Sequence, residues 1–238
     1  MAHHDQPIMG ARARAHHQVR AEILAAASRQ LASVGPAGLS LRAVARELGM
    51  VSSALYRYFA SRDDLLTALI IDAYDDLGEV AERCNASTRH LPPLTRWVQA
   101  TSAVRQWALE HPHDYALLYG SPVPGYAAPD DTVVPGTRVT RALVQIVHDA
   151  IADDRLASEG DGGTIELSTP TRRSFDALRS EVDLDATNDE LVGLLTAWTQ
   201  MFGLLSFELF GQTRGLIDDH DAFFREAATV MGRRIGLT

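Results

Sequence analysis

Lysine is absent from the 238 residues, cysteine occurs once, and aromatic side chains make up only 7%. The lone Cys84 excludes an intrachain disulfide and fits a reducing cytoplasm. No apolar run reads as a membrane span, because the longest, from Leu191 to Phe210, is interrupted by Thr199, Gln200, Ser206 and Glu208. Met1 to His17 has no apolar core of signal-peptide length. A phosphate-binding glycine loop, a nucleophile elbow and an HExxH pair are all missing. His111, His113 and Asp114 hint at a metal site, yet residues i and i+2 do not share a helix face and no second cluster completes a ligand set. No catalytic residue, metal ligand or cofactor is therefore assigned, and a small helical enzyme is only the competing class.

What is present is 46% hydrophobic residues, enough for a buried core, and a net charge of -9. That charge is uneven. Up to Leu66 there are eight arginines against five carboxylates, a balance of +3, which leaves -12 for the remainder. Such asymmetry fits one small domain that meets phosphates and a larger part that avoids them.

The most informative stretch is Ser40 to Phe59, SLRAVARELGMVSSALYRYF. Ser40 sits at an N-cap position, and Leu41, Val44, Ala45 and Leu48 fall on one helical face. Gly49 ends that helix, and the chain re-enters helix near Val51 and Ser52, with Ser52 the substitute cap. In the second helix Leu55 and Phe59 face inward, while Ser52, Ser53, Tyr56, Arg57 and Tyr58 leave polar groups outside. The spacing predicts a helix-turn-helix whose outer face suits a major groove.

Before it, Val19, Ile23, Ala27, Leu31 and Val34 predict a helix from Gln18 to Val34, and residues 1–17, without helical periodicity, read as a disordered arm. After it, Ser61 caps a long helix with Asp63 and Asp64 in its first turn. That helix runs to about Cys84 and connects two halves: a DNA-binding domain, 18–66, and a regulatory and dimerisation domain, 67–238. Further helices are expected from Pro93 to Glu110, briefly after Pro112, from Thr137 to Ile151, from Thr169 toward Val182, from Asn188 or Asp189 through Phe210, and from Asp221 to Ile235. Ser121 to Gly136 reads as a long loop. The Leu191–Phe210 helix is apolar all round and must be covered on both faces. With the last helix it is expected to form a homodimer interface through Val192, Thr199, Gly203, Ser206, Phe210, Phe224, Ala227 and Met231.

The order of elements and the run GMVSSALYRYFASRDDLL, Gly49 to Leu66, resemble the TetR family of bacterial transcriptional regulators. WTQMFGLLSFELFG, Trp198 to Gly211, is similar to the C-terminal signature of the WHG subgroup, although Phe202 stands where histidine is common. Family members often have Ser or Thr where this chain has Val51. The resemblance implies an all-α fold: a three-helix helix-turn-helix domain joined by a long helix to a helical ligand-binding and dimerisation domain. It implies double-stranded DNA as partner, at a pseudo-palindromic operator read by a homodimer, with Ser40, Arg42, Tyr58 and Arg62 as phosphate contacts. Ser52, Ser53, Tyr56 and Arg57 are the candidate base readers. It also implies a small-molecule effector, for which Trp97, Trp107, His111, Tyr115, Tyr119, Trp198, Met201 and Phe202 are the candidate lining. An architectural DNA binder without effector is the alternative within nucleic-acid binding.

Overall fold

A computed structural model describes residues 10–156, 166–182 and 185–238. Among them the chain is α-helical, with one isolated bridge between Leu156 and Leu237 and no strand. It divides into two compact units, Met1–Asp72 with Ser121–Pro129, and Ala73–Gly120 with Asp130–Thr238.

The first unit contains α1 (Ala11–Val34), a 3-10 turn (Pro36–Gly38), α2 (Leu41–Glu47), α3 (Ser52–Leu55) and the start of α4 (Arg62–Ser87). Its core is built from the faces the periodicity picked out: Ile23, Ala27 and Leu31 of α1, Leu41, Val44 and Ala45 of α2, then Leu55, Phe59, Leu65 and Leu69. Two glycines turn the chain, Gly35 at φ 68° after α1 and Gly49 at φ 64° between α2 and α3, where a side chain would be strained. Ser61 caps α4 as expected, its hydroxyl accepting the Asp64 amide at 3.0 Å.

Two expectations fail at the start of helices. Residues 11–17 belong to α1 rather than to an arm without structure. Ala11, Ala13 and Ala15 between Arg12 and Arg14 are strong helix formers, so propensity extends the helix where no apolar period announces it. The first nine residues lie outside the described part. Ser52 is not a cap either: Val51 holds that position with extended backbone and no side-chain cap, and Ser52 is the first helical residue. The Ala54 amide is instead satisfied by the Val51 carbonyl at 2.9 Å.

The second unit holds the end of α4, then α5 (Pro93–Glu110), α6 (Pro112–Tyr119), α7 (Val133–Ala152), α8 (Thr169–Val182), α9 (Asn188–Leu209) and α10 (His220–Ile235). α5 packs against α6, α7, α9 and α10, and buries Trp97, Thr101, Val104 and Ala108, the face read from the sequence. α7 starts four residues before Thr137, because Pro135 lies in a first turn where its missing N–H needs no partner. α9 opens with a capping box: Thr187 Oγ1 accepts the Glu190 amide at 3.2 Å while Glu190 accepts the Thr187 amide at 2.6 Å. By length and composition alone α9 is apolar enough to cross a membrane, contrary to the sequence reading. Its buried side chains, Leu191, Leu194, Met201 and Leu205, are spent on the core of this unit, and Glu208 is ion-paired to Arg105 of α5.

Close packing of α10 on α5 depends on Gly232. A Cβ there would lie 2.6 Å from Leu94 Cδ1 and 3.0 Å from Trp97 Cδ1. Trp97 is fully buried and cannot move aside. We expect Gly232→Ala to cost about 1–3 kcal/mol of stability by overpacking despite alanine's better helix propensity, read as a lower urea midpoint at unchanged slope. A gain in stability would mean that α10 slides freely on α5.

Candidate functional site

Two acids of the helix-turn-helix region are ion-paired. Arg29 of α1 holds Glu47 of α2 at 2.8 Å, and Arg62 lies 3.4 Å from Asp63. Arg42 on α2 and Arg57 after α3 are both exposed and have no ion-pair or hydrogen-bond partner among the described residues. Two exposed guanidiniums without ion-pair partners are suited to phosphate oxygens and to guanine edges.

Ser53, Tyr56 and Arg57 are exposed, Ser52 and Tyr58 half-buried, and Leu55 and Phe59 buried beneath them. Regular α-helix ends at Leu55, but the turn continues through the amides of Tyr56 to Ser52 O (3.1 Å) and Tyr58 to Leu55 O (2.9 Å). Ser40 occupies the N-cap position of α2 with extended backbone, yet its hydroxyl makes no cap bond. Its amide donates to Gln30 Oε1 of α1 at 2.8 Å, which leaves the hydroxyl for an outside partner.

Arg62, a candidate phosphate contact, is also engaged within the chain. Its guanidinium donates to Pro36 O at 2.6 Å and Leu39 O at 3.3 Å, so it fastens the turn that leads into α2. Tyr58 is less open than the sequence suggested, because His16 stacks on it with ring centroids 4.7 Å apart and 29° between planes. Arg20 lies 5.2 Å above the Phe59 ring. The His16 contact was not legible from the chain, since no periodic signal marks residues 11–17.

In the second unit, several effector candidates meet ring on ring. Tyr119 stacks on Phe202 at 4.2 Å, Trp198 meets Phe202 edge-on at 5.5 Å, and Tyr115 lies 5.1 Å from Tyr119. Tyr74 of α4, which sequence reasoning missed, joins the group 6.2 Å from Tyr119. Burial above all, with Tyr74 and Tyr115 adding to it, pushes the Tyr119 phenol far above its ordinary range, so it stays a neutral donor and acceptor. The Tyr115 hydroxyl donates to Phe202 O at 3.0 Å and pairs with Ser206 Oγ at 3.0 Å.

Met201 is fully buried in the same core, but Trp97 belongs to the α5–α10 packing under Gly232. Trp107 stacks on His111 at 5.0 Å, and His111 Nδ1 lies 3.0 Å from Trp107 O, a local fastening at the α5–α6 corner. Among the described residues Trp97, Trp107 and Trp198 each keep a buried indole N–H without a partner. An open cleft of about 300 Å³ lies elsewhere on this unit, lined by Val192, Thr196 and Gln200 of α9 and Met231 and Arg234 of α10, and by none of the aromatic candidates.

The expected interface residues split. Thr199, Gly203 and Phe210 are exposed and Val192 and Ala227 half-buried, whereas Phe224 (2%) and Met231 (1%) are core and Ser206 is turned toward Tyr115. α10 packs through Phe224, Ala228, Met231 and Ile235, so the outward stripe is one residue away, at Phe223 and Val230. On α9, Leu195 and Phe207 complete the exposed face.

Residues 23–69 match the family of bacterial regulatory proteins of tetR type, and residues 97–231 match a tetracyclin repressor-like C-terminal domain. The HTH-type transcriptional regulators Rv1816 of Mycobacterium tuberculosis and Mb1846 of Mycobacterium bovis are each 40% identical over 205 residues, 86% of this chain and 86% of theirs. Among solved structures, the regulatory protein SCO4313 superposes with TM-score 0.75 at 34% identity, covering 93% of this chain and 98% of that one. A Rhodococcus protein of unknown function follows with TM-score 0.66 at 25% identity, covering 98% and 99%.

Proposed function

The chain belongs to the TetR family of bacterial regulatory proteins and is a transcriptional regulator with a DNA-binding helix-turn-helix; from that premise we propose that it is a cytoplasmic, homodimeric repressor released from a pseudo-palindromic operator by a small, largely hydrophobic effector. The observation that carries the DNA half is the pair Arg42 and Arg57, both exposed and without an ion-pair partner among the described residues. Ser40 and Arg42 take the backbone, and Ser53, Tyr56 and Arg57 take base edges.

The effector half is supported by the partnerless indole N–H groups of Trp107 and Trp198 beside a stack of rings. Donors without acceptors in an apolar setting are costly, and a ligand that offers an acceptor would relieve that cost. Such a ligand represses or releases only through different affinity for the two states of the protein.

Duplexes selected from random sequence on the immobilised full-length protein supply the operator. On them, Arg57→Ala should weaken binding and relax preference at one or two base pairs by about 1–3 kcal/mol in a fluorescence titration. Equal weakening on unrelated duplexes would reassign Arg57 to the backbone, and unchanged binding would remove it from the interface. A thermal-shift screen over a broad library of apolar compounds tests the effector, which loses its support if no compound both raises Tm and frees DNA.

A further inference from the structure

We propose that the first turns of α1 form a second DNA-contacting surface, in which Arg12, His16 and Arg20 grip phosphates flanking the base pairs read by the recognition turn. This rests on the DNA-binding reading above and extends its footprint. The segment from Gly10 to Ala21 carries three arginines and two histidines and no carboxylate, the first acid of α1 being Glu22. Glu22 is engaged by the Gln18 side-chain amide at 3.2 Å.

Helical spacing puts Arg12, His16 and Arg20 in one row at i, i+4 and i+8. The direction of that row is fixed at two points. His16 stacks on Tyr58 and Arg20 lies over Phe59, so the row runs along the edge of the turn that carries Tyr56 and Arg57. Arg12 lies beyond both contacts, is exposed, and has no partner among the described residues.

From Arg20 to Arg12 the helix advances about 12 Å, the axial rise of three to four base pairs. A row of that length, with a guanidinium at each end and an imidazole between them, matches a stretch of phosphates rather than another base-reading site. From Arg12 to Gln18 no side chain is buried, so this part of α1 stands outside the apolar core. A duplex also favours this row over an acidic protein partner, because the stack on Tyr58 ties the row to the element that enters DNA.

The test compares full-length protein with Arg12→Ala/His16→Ala on 40-base-pair duplexes obtained by in vitro selection with the unaltered protein. Alanine preserves helix propensity, so the variant removes charge and keeps the turn. We expect the salt dependence, the slope of log K against log[salt], to fall by about 1–2, since each phosphate contact contributes roughly 0.9. The hydroxyl-radical footprint should shorten by about three base pairs at each outer edge, with base preference inside it unchanged. Arg12→Lys/His16→Lys should restore slope and footprint. Equal slopes and footprints for unaltered protein and the alanine variant overturn the proposal while leaving the DNA-binding reading intact. Failure of the unaltered protein to select any duplex overturns both.

Discussion

Arg105→Ala is expected to cost about 3–5 kcal/mol of stability. Arg105 is 7% exposed and binds Glu208 of α9 through two bonds, Nε to Oε2 at 2.8 Å and a terminal nitrogen to Oε1 at 2.7 Å. A third bond reaches Asp221 of α10 at 3.1 Å, and the guanidinium sits 5.5 Å over the buried Phe224 ring. One side chain on α5 thus joins the end of α9 to the start of α10. Removing it strands Glu208, whose side chain is only 15% exposed, without a counter-ion. The cost comes from that stranded charge more than from any net value of the bridge, because taking both ions from water offsets much of their attraction. Arg105→Met should therefore be nearly as harmful, whereas Arg105→Met/Glu208→Leu should recover most of the loss. Urea denaturation of the unaltered protein, Arg105→Met, Glu208→Leu and the double variant supplies the cycle. A loss below about 1 kcal/mol in the single variants would mean that Glu208 finds water and that the three helices are held by apolar packing alone.

This network shows where sequence reading ran out. Glu208 entered that reading only as an interruption of an apolar run, and Arg105 as one of 22 arginines, because partners 103 residues apart leave no periodic trace. What was legible were features decided locally. Ser61 before Asp63 and Asp64 gave the start of α4, and Pro93 gave the start of α5. Leu41, Val44 and Ala45 against Leu55 and Phe59 gave both buried faces of the helix-turn-helix. α1 was cut short because an Ala/Arg segment holds helix by propensity without an apolar stripe. α7 was begun late because Pro135 and Gly136 read as loop, although a first turn tolerates both.

The site divides the same way. Exposure of Ser53, Tyr56 and Arg57 follows from the phase of one short turn, so residue order sufficed. The attachment of Arg62 to Pro36 O and of His16 to Tyr58 depends on how α1 and the 3-10 turn fold back, which no local pattern encodes. On α10 the adjacent pair Phe223 and Phe224 made either phase of the helix amphipathic. Gly232 decided it, because only the phase that lays the glycine on Trp97 lets α10 close on α5. The result moved the outward stripe by one residue and turned Phe224 and Met231 into core.

In the proposed homodimer, Phe207→Asp should convert dimer to monomer and lower operator affinity by two to four orders of magnitude, the usual return from joining two binding modules. Leu195 (37%), Phe207 (55%) and Phe210 (46%) stand exposed on α9, with Phe223 (39%) and Val230 (50%) on α10. Gly203 lies amid them, and a Cβ there would meet open space, so a second backbone can approach closely. A two-fold axis on this face pairs the patch with itself, which buries the apolar side chains of both copies together. Aspartate at 207 would then be introduced twice near the axis, desolvated and facing its own charge. In a single chain the position is already exposed, so the folded monomer should lose little, and helix content is the control. Sedimentation velocity at about 10 μM reads the association, the concentration being within reach of a standard-sized interface. Affinity for a duplex carrying one half-site should be unchanged, because the helix-turn-helix of each copy is untouched. If Phe207→Asp and Leu195→Asp both remain dimeric, the interface lies on another face. If monomers bind the full operator as tightly as the parent, the two half-sites are not read by one assembly.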